Sequence, residues 1–162
     1  MTEIRAAQLS DLPFLLTLEG YSAALGFVNC DSAEVHIGRM ESSDASYFLI
    51  EHEGQAAGYV LLCGLDSKHR NIELKRVAVS APGKGIGRQG LRQVMARAFQ
   101  DLAAHRLWLD VYSDNTRARR AYQALGFVEE GTQRECIWHD GHFRSLVLMS
   151  MLEHEFRALD HS

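Results

Sequence analysis

No segment narrows the possible folds as far as VAVSAPGKGIGRQGL, Val77 to Leu91. Four glycines lie between Gly83 and Gly90, with Lys84 and Arg88 among them. The strand-like run IELKRVAV, Ile72–Val79, comes before them. After them Leu91, Val94, Met95, Ala98, Phe99 and Leu102 keep the spacing of an amphipathic helix. The chain therefore passes from strand to helix through a glycine turn. Backbone N–H groups at such a helix start favour an anion, a phosphate above all. More than one class of nucleotide-cofactor protein uses glycines in this way, so the turn does not name its phosphate.

Two of those classes can be weighed on the residues. A Walker loop needs Ser or Thr after its lysine, and here Gly85 follows Lys84. Gly85 to Gly90 is a literal GxGxxG, and Asp110 follows at about the ~20 residues of a dinucleotide fingerprint. The preceding strand nevertheless carries Glu73, Lys75 and Arg76, unlike the continuous apolar strand of a buried parallel sheet. Asp110 also sits within LWLDVY rather than at a strand end, and too little chain remains for a substrate domain.

The rest of the chain reads as one domain, residues 1–162. Ile4–Ala7 is a first strand, and Ser10 is placed to cap a helix carrying Leu12, Leu15, Leu16 and Glu19, with Pro13 in its first turn. Residues 20–46 are poorly patterned, with a short helix expected over Ala33–Met40. Tyr47–Glu53 and Gln55–Cys63 form a hairpin turning at Gly54. Leu107–Tyr112 is a strand. Thr116–Leu125 is a helix, begun by Asn115, stopped by Gly126, and turning Ala118, Ala121, Tyr122 and Leu125 inward. A strand starts at Phe127–Val128, and residues 136–152 form a closing hairpin whose tip is Asp140-Gly141. Hairpins first and βαβ order later imply a mixed α/β sheet with helices on its faces.

Composition removes some functions. A net charge of −4 argues against a nucleic-acid partner. No apolar run approaches the ~20 residues of a membrane span, and no secretion signal opens the chain. Cys30, Cys63 and Cys136 are widely spaced, which fits reduced, buried thiols in a cytoplasmic protein. The histidines of HDGH, His139 and His142, do not close a metal site, and no metal is expected.

Two longer stretches carry a family resemblance. ELKRVAVSAPGKGIGRQGL resembles the strand, pyrophosphate loop and helix of the GNAT acetyl-CoA-dependent N-acetyltransferases. LWLDVYSDNTRARRAYQALGF resembles their second signature, and EEGTQRECIWHDGHFRSLVLMSML is similar to the ending of ribosomal-protein N-terminal and polyamine acetyltransferases. One position departs: Pro82 stands where the loop usually opens with Arg or Gln, and proline offers no N–H or polar side chain.

The resemblance implies a mostly antiparallel sheet splayed between its two central strands. It implies acetyl-CoA as cosubstrate, held along Val77, Ala78 and Val79, the loop Gly83, Lys84, Gly85, Ile86, Gly87 and Arg88, and Asn115. It makes Glu73 the candidate general base, since an ammonium must lose a proton before it attacks. It makes the Val79 N–H a donor to the thioester oxygen, and Tyr122 the proton donor to the leaving thiolate. The acceptor is a primary amine, either a small molecule such as a polyamine or a protein N-terminus, chosen by residues 20–46 and 136–143. A second class is an acyl-CoA sensor of the same fold without turnover. The closing hairpin also offers an edge on which two copies would pair as a homodimer.

Overall fold

The computed structural model describes residues 1–24 and 30–159. Part of the poorly patterned segment, 25–29, lies outside the described residues. Seven strands form one sheet: β1 (Thr2–Ala6), β2 (Ala45–His52), β3 (Gln55–Cys63), β4 (Asn71–Val79), β5 (Arg106–Tyr112), β6 (Val128–His139) and β7 (His142–Leu152). Their spatial order is β1-β2-β3-β4-β5-β7-β6, and every neighbouring pair is antiparallel except β4 and β5. The mixed α/β sheet is therefore as expected.

Alternation along the strands builds two cores, one on each face. Tyr47, Leu49, Tyr59, Leu61 and Ala78 meet Leu15 and Leu18 of α1 (Leu12–Ala24). Phe48, Ile50, Val60, Leu62, Leu107, Leu109, Met149 and Met151 face the other way. There they pack against Leu91, Val94 and Met95 of α3 (Ile86–Ala96), Leu125 of α4 (Thr116–Leu125) and Phe156 of α5 (Glu153–Ala158). The remaining helix, α2 (Ala33–Glu41), starts at Ser32, whose hydroxyl accepts the Val35 N–H at 3.3 Å.

Several boundaries differ from the expectation. Ser10 does not cap α1; it lies in a 3-10 turn, Leu9–Asp11. Asp11 accepts the Gln8 N–H at 2.8 Å and binds Arg5 at 2.9 Å, which commits the chain to that turn before the helix starts. The helix after the glycine loop stops at Ala96 and becomes a π-helical turn, Arg97–Asp101. That turn buries Ala98 and Phe99 but shifts the register, leaving Leu102 36% exposed. The closing hairpin reaches back to Val128, because the β6–β7 ladder continues through two register shifts. Its tip is as expected: Asp140 (φ 49°) and Gly141 (φ 80°) turn the chain between His139 and His142.

The thiols correct another expectation. Cys30 and Cys136 are exposed rather than buried, and only Cys63 is half-buried. Cys136 is exposed because β6 is the outer strand of the sheet and, among the described residues, is paired on one side only. Among the described residues no helix is long and apolar enough to cross a membrane.

Candidate active site

Glu73 marks the place where the sheet opens. The parallel ladder pairs Asn71 with Arg106, Ile72 with Leu107 and Glu73 with Trp108, and ends there. The remainder of β4, Leu74–Val79, stays bonded to β3 alone. The Ser80 N–H donates to the Ala57 carbonyl at 2.9 Å. Strand alternation then turns the Val79 and Val77 N–H groups away from β3, toward the gap left by β5.

A bulge sorts the side chains of this strand. Leu61 pairs with Arg76 but Leu62 with Leu74, so Lys75 is the extra residue. Ile72 and Leu74 before the bulge, and Val77 and Val79 after it, pack on the α3 face. Arg76 and Ala78 go to the α1 face. The adjacent charges of IELKRVAV, which spoil a simple alternation, are the sequence trace of that bulge.

The gap is a cavity of about 310 Å³ lined by Glu73, Arg76, Asp110, Tyr112, Tyr122 and Ile137, among others. Glu73 is half-buried, and no ion pair engages it among the described residues. Burial pushes its carboxyl up and Asp110 adds to this, against the opposing charge of Lys75. Asp110 stays exposed to solvent at the cavity, and the partial desolvation it undergoes there raises its carboxyl, again against Lys75. A base with a raised pKa holds an amine proton better, the direction general base catalysis needs. The Tyr122 ring packs edge-on to Phe127 at 5.9 Å between centroids. Burial, with Asp110 adding, pushes its hydroxyl up to about 12.

A second space, about 440 Å³, opens on the glycine loop side. Val77, Ala78, Val79, Gly83, Gly85, Gly87 and Arg88 line it, together with Asn115 and Tyr122. Gly83 (φ 87°) and Gly85 (φ 79°) adopt the left-handed conformation that disfavours side chains. Gly85 precedes α3, whose first-turn N–H groups have no partner within the helix. Asn115 caps α4, accepting the Ala118 N–H at 3.2 Å.

Two loop residues do not reach this groove. Ile86 is buried in the core, and Lys84 is exposed and absent from the lining. Ala121, expected inward, is exposed because it faces the open groove. Arg117 was not anticipated. Its Nη2 lies 2.9 Å from where a Cβ on Gly83 would stand, so it brings a cation over the loop. Its only sequence signal is a place in the first turn after Asn115.

Arg76 is committed elsewhere. Its Nη1 bonds Glu19 of α1 at 2.5 Å and Asp31 at 2.7 Å, and Arg39 of α2 also reaches Asp31 at 2.7 Å. Buried His36 pairs with Glu19 and places Nδ1 2.6 Å from the Tyr47 hydroxyl. This network ties α1 and α2 to β4. It also fills the space between Glu19, Asp31 and His36, three groups close enough to hold a metal, with a guanidinium.

The splayed strands, the bulge, and the glycine groove joined to the cavity at Tyr122 make up the candidate site. The chain belongs to the acetyltransferase (GNAT) family, which it matches over residues 9–127. It is 29% identical to a spermidine N(1)-acetyltransferase of Escherichia coli over 112 residues, 68% of this chain and 60% of that enzyme. It is 29% identical to the putative ribosomal N-acetyltransferase YdaF of Bacillus subtilis, over 66% of this chain and 59% of YdaF. The matched region thus spans about 60% of the length of these curated relatives. The structure of a spermidine N-acetyltransferase from Vibrio cholerae, in complex with CoA and spermine, superposes with a TM-score of 0.86 at 24% identity. That superposition covers 96% of this chain and 98% of the other, and shows the shared fold.

Proposed function

We propose that this chain transfers an acetyl group from acetyl-CoA to a primary amine of a small polyamine-type acceptor, by direct attack in a ternary complex. Family membership supports the reaction class, and the relatives named as spermidine acetyltransferases support the acceptor. The observation that carries the reading is that the two spaces meet. Val77, Asn115, Ala118 and Tyr122 line both, so a cosubstrate in the groove and an amine in the cavity approach each other beside Glu73.

The groove suits acetyl-CoA on its own chemistry. Left-handed glycines let the backbone approach a diphosphate closely, the first turn of α3 presents N–H groups, and Arg88 and Arg117 add positive charge. The apolar stretch Val77–Val79 suits the pantetheine arm, with two outward N–H groups to pair it. Pro82 adds no donor, and Arg117 lies near enough to the loop to supply one.

Acetyl-CoA, when bound, would supply an activated acyl carbon, with CoA departing as the thiol. Glu73 removes a proton from the incoming ammonium, directly or through water, freeing the nitrogen lone pair to form the N–C bond. The Val79 N–H stabilises the negative charge that develops on the acyl oxygen. The Tyr122 hydroxyl donates to the sulfur as the C–S bond breaks. As the N–C bond forms the nitrogen gives up its second proton, which replaces the one Tyr122 gave to sulfur, and Glu73 returns its own proton to solvent.

The test is thiol release from acetyl-CoA over a panel of amines: spermidine, spermine, simple monoamines and peptides with free N-termini. Turnover with polyamines is the expected result. Peptide N-termini as the sole acceptors would overturn the acceptor class, and CoA binding without turnover on any amine would make the chain a sensor.

A further inference from the structure

We propose that Asp110 is a specificity-determining residue, holding a second ammonium of the acceptor while the reacting amine sits at Glu73. The inference rests on the reading of the cavity as the acceptor site.

The register places the two carboxylates together. Paired residues of neighbouring strands point to the same face, so Glu73 shares a face with its partner Trp108. Asp110, two residues further along β5, returns to that face about 7 Å up the strand. The alternation is visible in the packing, since Leu107, Leu109 and Val111 all enter the opposite core. Because the ladder ends at Glu73, no residue of β4 pairs across from Asp110, and it opens into the cavity instead.

Among the described residues no cation bonds this second carboxylate, whereas Asp114, four residues on, is held by Arg144 at 2.9 Å. Arg76, which lines the same cavity, is occupied by Glu19 and Asp31. Lys75, whose charge is felt by both carboxylates, is exposed and bonds neither. The cavity thus holds two carboxylates without a bonded cation. A ligand with a second positive charge would supply one.

The remaining wall sets the chemistry between the charges. Tyr112, Ile137 and Leu146 line the cavity beside Asp110, and Arg144 closes over the Tyr112 ring at 3.4 Å. Charge at Glu73, charge at Asp110 and apolar surface nearby match two ammonium groups joined by a short alkyl chain. A monoamine would leave Asp110 facing its own methyl groups.

The matched pair putrescine and butylamine isolates that second ammonium. Asp110→Asn is expected to lower the putrescine-to-butylamine ratio of kcat/KM by about tenfold or more, mainly through KM for putrescine. Asp110→Glu is expected to restore part of it, which a loss of packing alone would not allow. Calorimetry of spermidine binding to the CoA-loaded protein should weaken by a similar factor in Asp110→Asn. Equal losses with both amines, or an unchanged KM for putrescine, would overturn the proposal; so would a loss confined to kcat, which would make Asp110 part of the proton path. If the wild-type chain turned over no amine, acetyl transfer would fail as the function, and the calorimetric comparison would still decide the role of Asp110.

Discussion

Glu73 stands level with Trp108 in the parallel ladder, and the ladder ends at that pair. The residue proposed as the base is therefore the last bonded residue before the strands part. It keeps one side against the sheet and the other against the cavity. Its carboxyl is raised mainly because this position is half-buried.

Glu73→Gln keeps the shape and removes the base. Turnover is expected to fall by about 10²–10⁴ near neutral pH. The deficit should narrow as pH rises toward the amine's own pKa of about 10.4, since less of the substrate then needs deprotonation. Initial rates across a pH series test this, and a variant matching the wild type at pH 7 would remove Glu73 from the proton path.

The same carboxyl bears on stability. Its folded pKa is raised, so the ionised form costs stability above that value, and the cost disappears at acid pH where the group is protonated folded and unfolded alike. Glu73→Gln is expected to melt higher than the wild type at neutral pH and equally at acid pH. Thermal melts at the two pH values make the comparison, and a variant that melts lower at both would mean the carboxylate makes a stabilising contact.

Tyr122→Phe separates packing from chemistry at one atom. The ring contact with Phe127 is retained, so folding and CoA affinity should hold. Single-turnover rates are expected to drop by about 10²-fold. The loss is limited because a hydroxyl near pKa 12 lies above a thiol of about 8.5, so it stabilises the departing sulfur chiefly through a hydrogen bond. An unaltered chemical step would leave Tyr122 as a packing residue.

Gly85→Val places a β-branched side chain at φ 79°, a conformation it strongly disfavours. CoA affinity is expected to fall at least about tenfold, because the loop must move off the position from which its N–H groups face the groove. Gly87→Val is the milder probe, since a Cβ there meets the Val79 side chain, with Cγ1 at 3.3 Å and Cγ2 at 4.0 Å. Calorimetry with CoA on both folded variants checks the order, and an unchanged affinity in Gly85→Val would detach the loop from the cofactor.

Asp31 governs part of the acid response. Burial pushes its carboxyl up, but hydrogen bonds from Arg39 and Arg76 outweigh that and bring it to about 2. Lowered from 3.8, it contributes stability that is full above that value and is lost as pH falls through about 2. The contribution is about 2 kcal/mol. Asp31→Asn should lose it at neutral pH and flatten the decline below pH 4, measured by denaturant unfolding across pH. An acid decline as steep as the wild type's would place the sensitivity in other carboxylates.

Features carried by neighbouring residues were legible without coordinates. Asn115 and Gly126 bracket α4, Asp140-Gly141 turns the last hairpin, and the loop glycines lie between strand and helix. In each case the local backbone preference and the local hydrogen bond agree. Glu73 and Tyr122 were named from the family resemblance of their segments, and both line the cavity. Features that depend on distant partners were not legible. Glu19 and Asp31 claim Arg76 from 57 and 45 residues away, so the pairing of Glu73 with a neighbouring cation could not be judged from IELKRVAV. In the sequence Asp110 was weighed only as the acid of a dinucleotide fingerprint; the end of the β4–β5 ladder opens it instead to the same space as Glu73. A sequence specifies which residues face one side of a strand. Where two strands stop pairing depends on tertiary contacts that no single segment carries.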